Sequence, residues 1–544
     1  MMRRDKLVVI GLLGLMVVTS VGAILFDRPV APLPAFGGTY VEGVVGAPQN
    51  LNPLIAATNV DRDVARLVFS GLTRYDREGA VVPDLAASFR SEADGRVWTF
   101  DLRADAYWHD GAPFVADDVV YTVSLLQDRA YAGPYGDAFR GVAVERVGAR
   151  AVRFTLPEPY GPFAGSTTVP LLPAHLLEGV AFADLAAHPS NLRPIGTGPF
   201  RVSEVDARQI LLTRHENFHG IRPERSRAYL DQVIIRFYRD TADSLAALAR
   251  REVDGVGGLA RGEAERARSL KTATLYSLPT SDFTALFLNV RPDKTLFRDR
   301  SVRQALAVAI DRGRVLTAGA DGRGIVAESF VPPTSWAFAK DVQRYTHSAT
   351  EAKALLESAG WLDADGDGVR EKDGLQLRFT LTTPDEPALV AAAQEVAQDL
   401  DAVGARVTIR SVPFADLVDR IARQRAFDML LVTITSGTEP DPYAFFHSSQ
   451  VGDPGFNFSG YSTLPLDRSL ESARRTADSE ERRELYATVF RQISLEVPVI
   501  FLYFSDYLYA HDRVVNGFLV APISDPTERF WNVADWFVRT LPGR

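Results

Sequence analysis

The stretch Phe283–Arg312, near the middle of the chain, joins a strand pattern to a helix pattern. Its first residues are apolar and largely alternate, as in a strand, and a turn at 291–293 follows. Asp299 is then a candidate N-cap for a helix with one apolar face. The strand positions are Phe283, Leu286, Leu288 and Val290, and the helix positions are Val302, Ala305, Leu306, Ala309 and Ile310. A strand that runs into a new amphipathic helix at mid-chain predicts a crossing between two lobes.

A second region, residues 375–432, alternates strand and helix patterns. The predicted elements are strands at 375–381, 407–409 and 429–432 and helices at 388–403 and 414–425. This β-α-β-α-β order implies parallel strands with helical crossovers, and the continuous apolar run at its end is typical of a strand buried on both faces. Ligands of such sheets lie beyond the carboxyl ends of the strands, which makes the loop 435–442 a candidate site.

Composition limits the function classes. At 544 residues the chain is too long for one core, so two or three folding units are expected. The net charge of −9 argues against a nucleic-acid surface. The absence of cysteine excludes disulfides, thiolate zinc sites, a cysteine nucleophile and a lipid-modified N-terminal cysteine.

The N-terminus carries basic residues followed by an uncharged apolar run, Leu7–Phe26. The run is long enough to span a bilayer, for which about 20 residues are needed. Residues 1–28 are therefore either a signal peptide cut after Ala23 or a retained membrane anchor. Both alternatives place the body of the protein outside the cytoplasmic membrane. Residues 29–36 are rich in proline and predict a stiff linker.

Several motifs follow one another in a set order. The segment 51–76 reads LNP and then VFSGLTRYD, and Tyr107–Gly111 is an aromatic-His-Asp-Gly turn before an Ala-Asp-Asp-Val helix start. Gly196–Phe200 reads Gly-Thr-Gly-Pro-Phe, residues 283–312 contain LFLNV and VRQAL, and residues 351–361 read EAKALLESAGW. In this order the motifs resemble the family 5 extracellular solute-binding proteins, the peptide- and nickel-type receptors of ABC importers.

The resemblance covers about residues 37–540. It implies an α/β fold, a two-lobe clamp like that of the type II periplasmic binding proteins in the enlarged family 5 form. In this fold the first lobe is discontinuous and two hinge crossings join the lobes. The implied bounds are 37–282 and 499–544 for the first lobe, 283–498 for the second, and 282–290 and 498–506 for the crossings.

One motif copies a zinc site without its context. His215–His219 reads HExxH, as in zinc proteases, whose chemistry needs both histidines on one face of a helix. Here a strand pattern precedes the motif, and Gly220 and Pro223 follow it at once. A surface loop is predicted instead, so no catalytic metal is expected.

Another motif copies half of a calcium loop. Asp363, Asp365 and Asp367 have the spacing of its first ligands, but the twelfth position, which should be a glutamate, is Gly374. A carboxylate-rich turn is the expected structure, and calcium binding stays open as an alternative. Neither a metal nor a cofactor is included in the predicted site.

The loop after the strand 429–432 bears on the ligand. In peptide-binding members of the family a Gly-Trp dipeptide ends this strand, and an aspartate four residues before the proline of an Asp-Pro motif grips the α-amino group. Here that proline is Pro442, the aspartate's place is Thr438, and the tryptophan's place is Thr435. Glu439 is the nearest substitute carboxylate. If Glu439 points inward, a cationic amine is a possible ligand group; if it does not, the solute is neutral or polar.

The predicted binding residues come from both lobes, because only contacts to both lobes favour closure. Trp336, in a proline-rich loop, fits either the lining of a cleft or the packing of a lid. The full set is Thr58 and Asn59 from the first lobe, and Trp336, Thr435, Ser436, Thr438, Glu439 and Tyr461 from the second.

The resemblance implies the extracytoplasmic substrate-binding component of an ABC importer, in the periplasm or on the outer face of the cytoplasmic membrane. It captures a peptide or similar small solute as a monomer, without catalysis or nucleic acid, and delivers it to permease and ATPase subunits. Two alternatives are a membrane-tethered solute sensor and a metallohydrolase that uses His215 and His219.

Overall fold

A computed structural model describes residues 33–92, 95–220 and 227–541. The predicted signal peptide or anchor and the first half of the predicted linker, 29–32, lie outside these residues. Within the described ranges, none of the helices has the length and apolarity needed to cross a membrane.

Strands make up the centre of the molecule and a smaller sheet at one side. The strands of the described ranges are β1 Leu33–Ala35, β2 Thr39–Val45, β3 Thr73–Tyr75, β4 Val81–Pro83, β5 Ala86–Glu92, β6 Val97–Leu102, β7 Ala143–Arg146, β8 Ala151–Thr155, β9 Phe200–Val205, β10 Gln209–Arg214, β11 Gln232–Tyr238, β12 Gly255–Gly257, β13 Ala273–Leu288, β14 Gly324–Val326, β15 Glu371–Lys372, β16 Leu375–Gln376, β17 Arg378–Pro384, β18 Arg406–Val412, β19 Met429–Thr435, β20 Val499–Asp512 and β21 Arg539–Leu541.

Helices lie between and around the strands. The α-helices of the described ranges are α1 Asn59–Val68, α2 Ala116–Leu126, α3 Gly136–Phe139, α4 Phe163–Ser166, α5 Ala174–Leu177, α6 Phe182–Leu185, α7 Thr241–Ala249, α8 Arg261–Ser269, α9 Arg300–Ala309, α10 Arg312–Ala320, α11 Ala349–Ser358, α12 Pro387–Asp401, α13 Phe414–Asp416, α14 Tyr443–Phe446, α15 Leu464–Arg475 and α16 Ser479–Glu496. Short 3₁₀ turns occur at Pro189–Asn191, Ser448–Gln450, Pro526–Phe530 and Val533–Asp535, and a π-helix at Leu417–Ala422.

Two long antiparallel strands, β13 and β20, hold the molecule together. They are 16 and 14 residues long and lie side by side at the centre of an eleven-stranded sheet. Strands β18, β17 and β19 extend the sheet beyond β13, and β12, β2, β11, β10 and β9 extend it beyond β20. The β13–β20 register shifts between Pro279 and Phe283, where these two halves of the sheet meet.

The buried apolar residues divide in the same way. One large cluster draws on residues 40–237, Leu278 and residues 509–536, and two others draw on residues 283–504. We call the part around the first cluster the first lobe and the part around the other two the second lobe. Since the first cluster contains both early and late residues, the predicted two-lobe α/β fold with a discontinuous first lobe is confirmed. The boundary residues themselves stay a prediction, because β13 and β20 run through both lobes.

The predicted β-α-β-α-β unit of the second lobe is confirmed. Strand β17 pairs in parallel with β18 on one side and β19 on the other, and α12 crosses from β17 to β18. Met429, Leu430 and Leu431 are fully buried, as a strand covered on both faces requires. The predicted helix at 414–425 is instead the short α13 followed by the π-helix. The carboxyl end of β19 opens toward the first lobe.

Candidate functional site

A cavity of about 290 Å³ lies between the two lobes. The first lobe lines it with α1, residues 74–79 and the C-terminal segment 521–531, and the second lobe lines it with 332–336 and 436–438. Ser281, at the register shift of β13, forms part of its wall. Sites for small ligands usually measure about 300–1,000 Å³, so this volume suits a small solute.

Helix α1 turns its polar face to the cavity. The Thr58 hydroxyl accepts the N–H of Asp61 at 3.0 Å, and the Asp61 carboxylate accepts the N–H of Thr58 at 2.9 Å, a reciprocal cap that fixes where the helix begins. The apolar face of α1 is fully buried in the first lobe at Val60, Val64, Leu67 and Val68. Arg62 and Arg66, one turn apart on the opposite face, therefore line the cavity.

A buried ion network anchors the C-terminal segment beneath the cavity. Arg529 donates from Nε to Glu42 at 2.9 Å and from Nη1 and Nη2 to Asp63 at 2.8 and 2.6 Å. Glu42 also accepts hydrogen bonds from the hydroxyls of Tyr40 and Tyr509. Because these partners come from β2, α1 and β20, the network joins distant parts of the first lobe to the segment that lines the cavity.

The anchored segment caps its own short helix. Asp525 accepts the N–H of Thr527 at 2.8 Å, and Glu528 accepts the N–H of Ser524 at 2.7 Å. Burial raises the pKa of the Glu528 carboxyl. These bonds hold the side chains of Ser524 and Trp531 at the cavity wall.

The second lobe meets the cavity through the loop after β19. The N–H of Ser436 donates to the carbonyl of Ser281 at 3.0 Å, and Gly437 has a φ of +72°, a conformation that favours glycine. The Thr438 hydroxyl then forms a hydrogen bond with the Ser524 hydroxyl of the first lobe. The two lobes are thus in direct contact at the wall of the cavity.

A second contact between the lobes lies at Gly161. Its N–H donates to the carbonyl of Arg474, at the end of α15, at 2.7 Å. A Cβ at this position would lie 1.8 Å from the carbonyl oxygen of Thr476, closer than atoms approach. Only glycine allows the lobes to come this close here.

Glu439 does not line the cavity. Its carboxylate lies 3.5 Å from Nη2 of Arg482 and 3.4 Å from the hydroxyl of Tyr486. Burial raises the pKa of Glu439 to about 7, although Arg482 lowers it. The carboxylate therefore already has a cationic partner within its own lobe, and the predicted contact with a ligand amine stays a prediction.

We expect Glu439 to make stability depend on pH. An acid whose pKa rises on folding binds more protons in the folded state, so the free energy of unfolding falls as the pH rises from about 4.5 to 7. The loss is at most about 3 kcal/mol. In Glu439→Gln that part of the decrease should vanish when denaturant midpoints are compared at pH 5 and pH 8. Glu484→Gln, on the exposed face of α16, is the control, and an unchanged pH dependence in Glu439→Gln would contradict the assignment.

Trp336 combines the two predicted roles. It lines the cavity, and its ring lies 6.0 Å from that of Tyr486. The Arg482 guanidinium lies 5.0 Å from the centre of the same ring. Together with Ser436 and Thr438, it is one of the predicted residues that the structure brings to the cavity.

The residues predicted from the first lobe lie beside the cavity but do not line it. Thr58 is the N-cap of α1, and its hydroxyl is used within the helix. The side-chain oxygen of Asn59 accepts a hydrogen bond from Arg62. The polar groups of Thr58 and Asn59 are thus used in hydrogen bonds within the first turn of α1. The next turn lines the cavity instead, at Arg62, Ala65 and Arg66.

Two predicted residues of the second lobe also lie away from the cavity lining. The Thr435 hydroxyl is 3.3 Å from that of Ser281 and accepts the N–H of Gly437 at 3.1 Å, so it supports the loop. The Tyr461 hydroxyl accepts a hydrogen bond from Gln492 at 3.3 Å and packs within the second lobe. Their contacts position neighbouring elements.

The HExxH-like segment is a turn after β10 and not a helix, as predicted, but the expected surface position is wrong for His215, Phe218 and His219, which are buried. Nδ1 of His215 is 3.1 Å from the carbonyl of Gly198, and burial lowers the pKa of His215. Nε2 of His219 is 3.1 Å from the carboxylate of Asp84. The two histidines thus face different partners, without the shared helical face that a zinc protease needs.

The calcium-like loop contains one nearby carboxylate that the spacing did not predict, Glu371. Oxygens of Asp363, Asp365 and Glu371 lie within 4.8 Å of one another, and this is the sole such group of three in the described part of the chain. Asp363 also accepts the N–H of Gly366 at 2.8 Å, as in a turn that stabilises itself. Calcium binding at this loop stays open.

The sequence did not single out several residues of the cavity: Arg66, Arg74, Tyr75, Ser524 and Trp531. Two local signals were available. The Asp-Pro-Thr-Glu sequence at 525–528 is a capping pattern that marks a short helix in the tail. Arg74 and Tyr75 lie within the LTRYD motif. Neither signal places these residues opposite the second lobe, because that depends on the path of the whole chain.

Comparison with known proteins identifies related sequences over most of the chain. The family model for bacterial extracellular solute-binding proteins, family 5 Middle, matches residues 80–457. The oligopeptide-binding protein AppA of Bacillus subtilis is 29% identical over 516 residues, which are 93% of this chain and 92% of that protein.

Solved structures match the fold. The structure of Bacillus subtilis AppA in complex with a nonapeptide is 28% identical, with a TM-score of 0.70, and covers 93% of this chain and 100% of that one. NikZ of Campylobacter jejuni in complex with Ni(L-His) is 27% identical, with a TM-score of 0.70, and covers 92% of this chain and 99% of that one.

Proposed function

Because the chain belongs to the family 5 bacterial extracellular solute-binding proteins, we propose that it is the substrate-binding component of an ABC importer. It captures a peptide or a similar small solute in the cavity between its lobes. The observation that carries this proposal is a cavity lined by both lobes, with a direct hydrogen bond between Thr438 and Ser524 at its wall.

The mechanism follows from the two long strands. β13 and β20 connect the lobes, so a change in their bend opens or closes the cavity. A solute drives closure only through its extra affinity for the closed form, and a shift from 1:99 to 99:1 needs about 5.5 kcal/mol. In the open form the solute contacts one lobe at a time, whereas in the closed form it contacts both. These additional contacts supply the extra affinity for the closed form.

The remaining parts of the proposal concern partners and place. The protein acts as a monomer outside the cytoplasmic membrane, binds no nucleic acid and catalyses no reaction. A permease accepts the closed form, and separate subunits hydrolyse ATP. The related AppA and NikZ structures hold a nonapeptide and Ni(L-His), so ligands within the family differ widely in size and charge. The solute class must therefore be argued from this cavity.

We expect bound solute to compact the protein in solution. Protein freed of solute by unfolding and refolding should have a larger radius of gyration in small-angle scattering than protein refolded with the small molecules that it released. Bovine serum albumin carried through the same steps controls for the treatment. Identical scattering curves with and without a stoichiometrically retained small molecule would contradict closure around a solute.

A further inference from the structure

Arg66 and Arg74 form no hydrogen bond or ion pair through their guanidinium groups with any other described residue. Both are half-buried and line the inter-lobe cavity. Partly buried arginines usually have a carboxylate partner, because their five donors are costly to leave unused. Two guanidinium groups without a partner at one cavity favour the binding of an anionic ligand.

The acidic residues that line the same cavity do not pair with these two arginines. Asp76 accepts the N–H of Glu78 at 3.0 Å and of Ala80 at 2.8 Å, within its own turn. Asp525 and Glu528 accept backbone N–H groups of the C-terminal segment. Burial raises the pKa of Glu528 and the nearby Arg66 lowers it, but the two side chains form no hydrogen bond or ion pair. Glu78, an exposed acid of the same lining, forms no ion pair with either arginine, so the guanidinium donors of Arg66 and Arg74 remain available.

The same arginines line a second cavity of about 410 Å³ within the first lobe. Trp531 also lines both cavities, so these three side chains mark where the two meet. The third arginine of the second cavity, Arg103, is paired with Asp105 at 2.8 Å. Arg66 and Arg74 thus remain the available cations at the junction within the described residues.

We infer that the solute is an acid whose carboxylate or phosphate binds between Arg66 and Arg74. The rest of the solute extends from the inter-lobe cavity past Trp531 into the first-lobe cavity. A guanidinium group donates two parallel N–H bonds to the two oxygens of a carboxylate or phosphate. A neutral amide has a single oxygen and no negative charge, so it cannot accept in this way. This inference rests on the proposed function and names the chemical class of its solute.

The test compares three probe mixtures on the full-length protein by native mass spectrometry. They are a tripeptide library with free C-terminal carboxylates, the same library with amidated C-termini, and a mixture of hexose phosphates. Molecules of a carboxylate or phosphate arm should be retained at least tenfold more than those of the amidated arm. Which acidic arm is retained identifies the anion.

The paired variant Arg66→Gln with Arg74→Gln should reduce that retention at least tenfold. The control Arg90→Gln changes an exposed arginine of β5 that lines neither cavity, and this variant should retain the wild-type amount. Equal retention of amidated and free-acid peptides, undiminished retention in the double variant, or no retention from either acidic arm would overturn the inference. If the double variant does not fold, the comparison of probes on the wild-type protein decides the question alone. Solute-dependent scattering alongside any of these failures would leave the proposed function standing.

Discussion

Replacing Arg529 with methionine is expected to lower the free energy of unfolding by about 3–5 kcal/mol. The substitution keeps an apolar side chain in place but leaves the buried carboxylates of Glu42 and Asp63 without their cation. A buried charge without a partner is far more costly than an exposed one. Denaturant unfolding followed by tryptophan fluorescence and by circular dichroism measures the loss.

The matched control for this substitution is Arg90→Met. Arg90 pairs with Asp101 at 3.0 Å on the exposed face of a strand, so its loss should cost about 1 kcal/mol or less. Because Arg529 anchors the C-terminal segment that lines the cavity, Arg529→Met should also lose solute affinity. A change in stability as small as that of Arg90→Met would show that the network does not anchor the segment.

Replacing Gly161 with alanine is expected to weaken solute binding by about 5- to 100-fold. The added methyl group meets the carbonyl oxygen of Thr476 across the contact between the lobes. Relief of such an overlap typically costs about 1–3 kcal/mol, and it is required only when the lobes close. Titration calorimetry with the solute released from the wild-type protein measures the change.

Gly262→Ala serves as the control for the second prediction. No atom lies within 4 Å of the Cβ that this substitution would add, so affinity should stay unchanged. The unfolding free energy of Gly161→Ala should fall by less than its binding free energy if the open form tolerates the methyl group. Wild-type affinity in Gly161→Ala would mean that the lobes do not need this contact in order to close.

Local sequence patterns predicted the elements and the family well. The period-two and helical spacings located β13, α9, β17 and α12, because each of these elements buries a continuous apolar face, and the continuous apolar run located β19, which is covered on both faces. The helix predicted at 414–425 was less regular, since apolar spacing does not distinguish an α-helix from a π-helix. The motifs of residues 51–361 indicated the correct family because they preserve turns that the fold requires.

Candidate site residues were harder to predict. Ser436 and Thr438 line the cavity because they follow the carboxyl end of a buried parallel strand, which is where ligands of such sheets lie. Trp336 lines the cavity from a separate loop. Thr58 and Asn59 were predicted because closure needs contacts from both lobes, but the start of α1 uses the same polar groups. Whether a polar side chain serves its own backbone or a ligand is decided by its neighbours in space.

The sequence by itself determined the α/β elements through patterns within single segments, and the ordered motifs indicated the family, whose resemblance implied the two-lobe architecture. Only the tertiary structure decided that Arg66, Arg74 and Trp531 meet at the junction of two cavities, and that Glu439 turns to Arg482. Trp531 lies hundreds of positions after Arg66 and Arg74 in the chain, and Arg482 lies in a different element from Glu439. Their meeting depends on how β13, β20 and the C-terminal segment pass between the lobes, which no local pattern encodes.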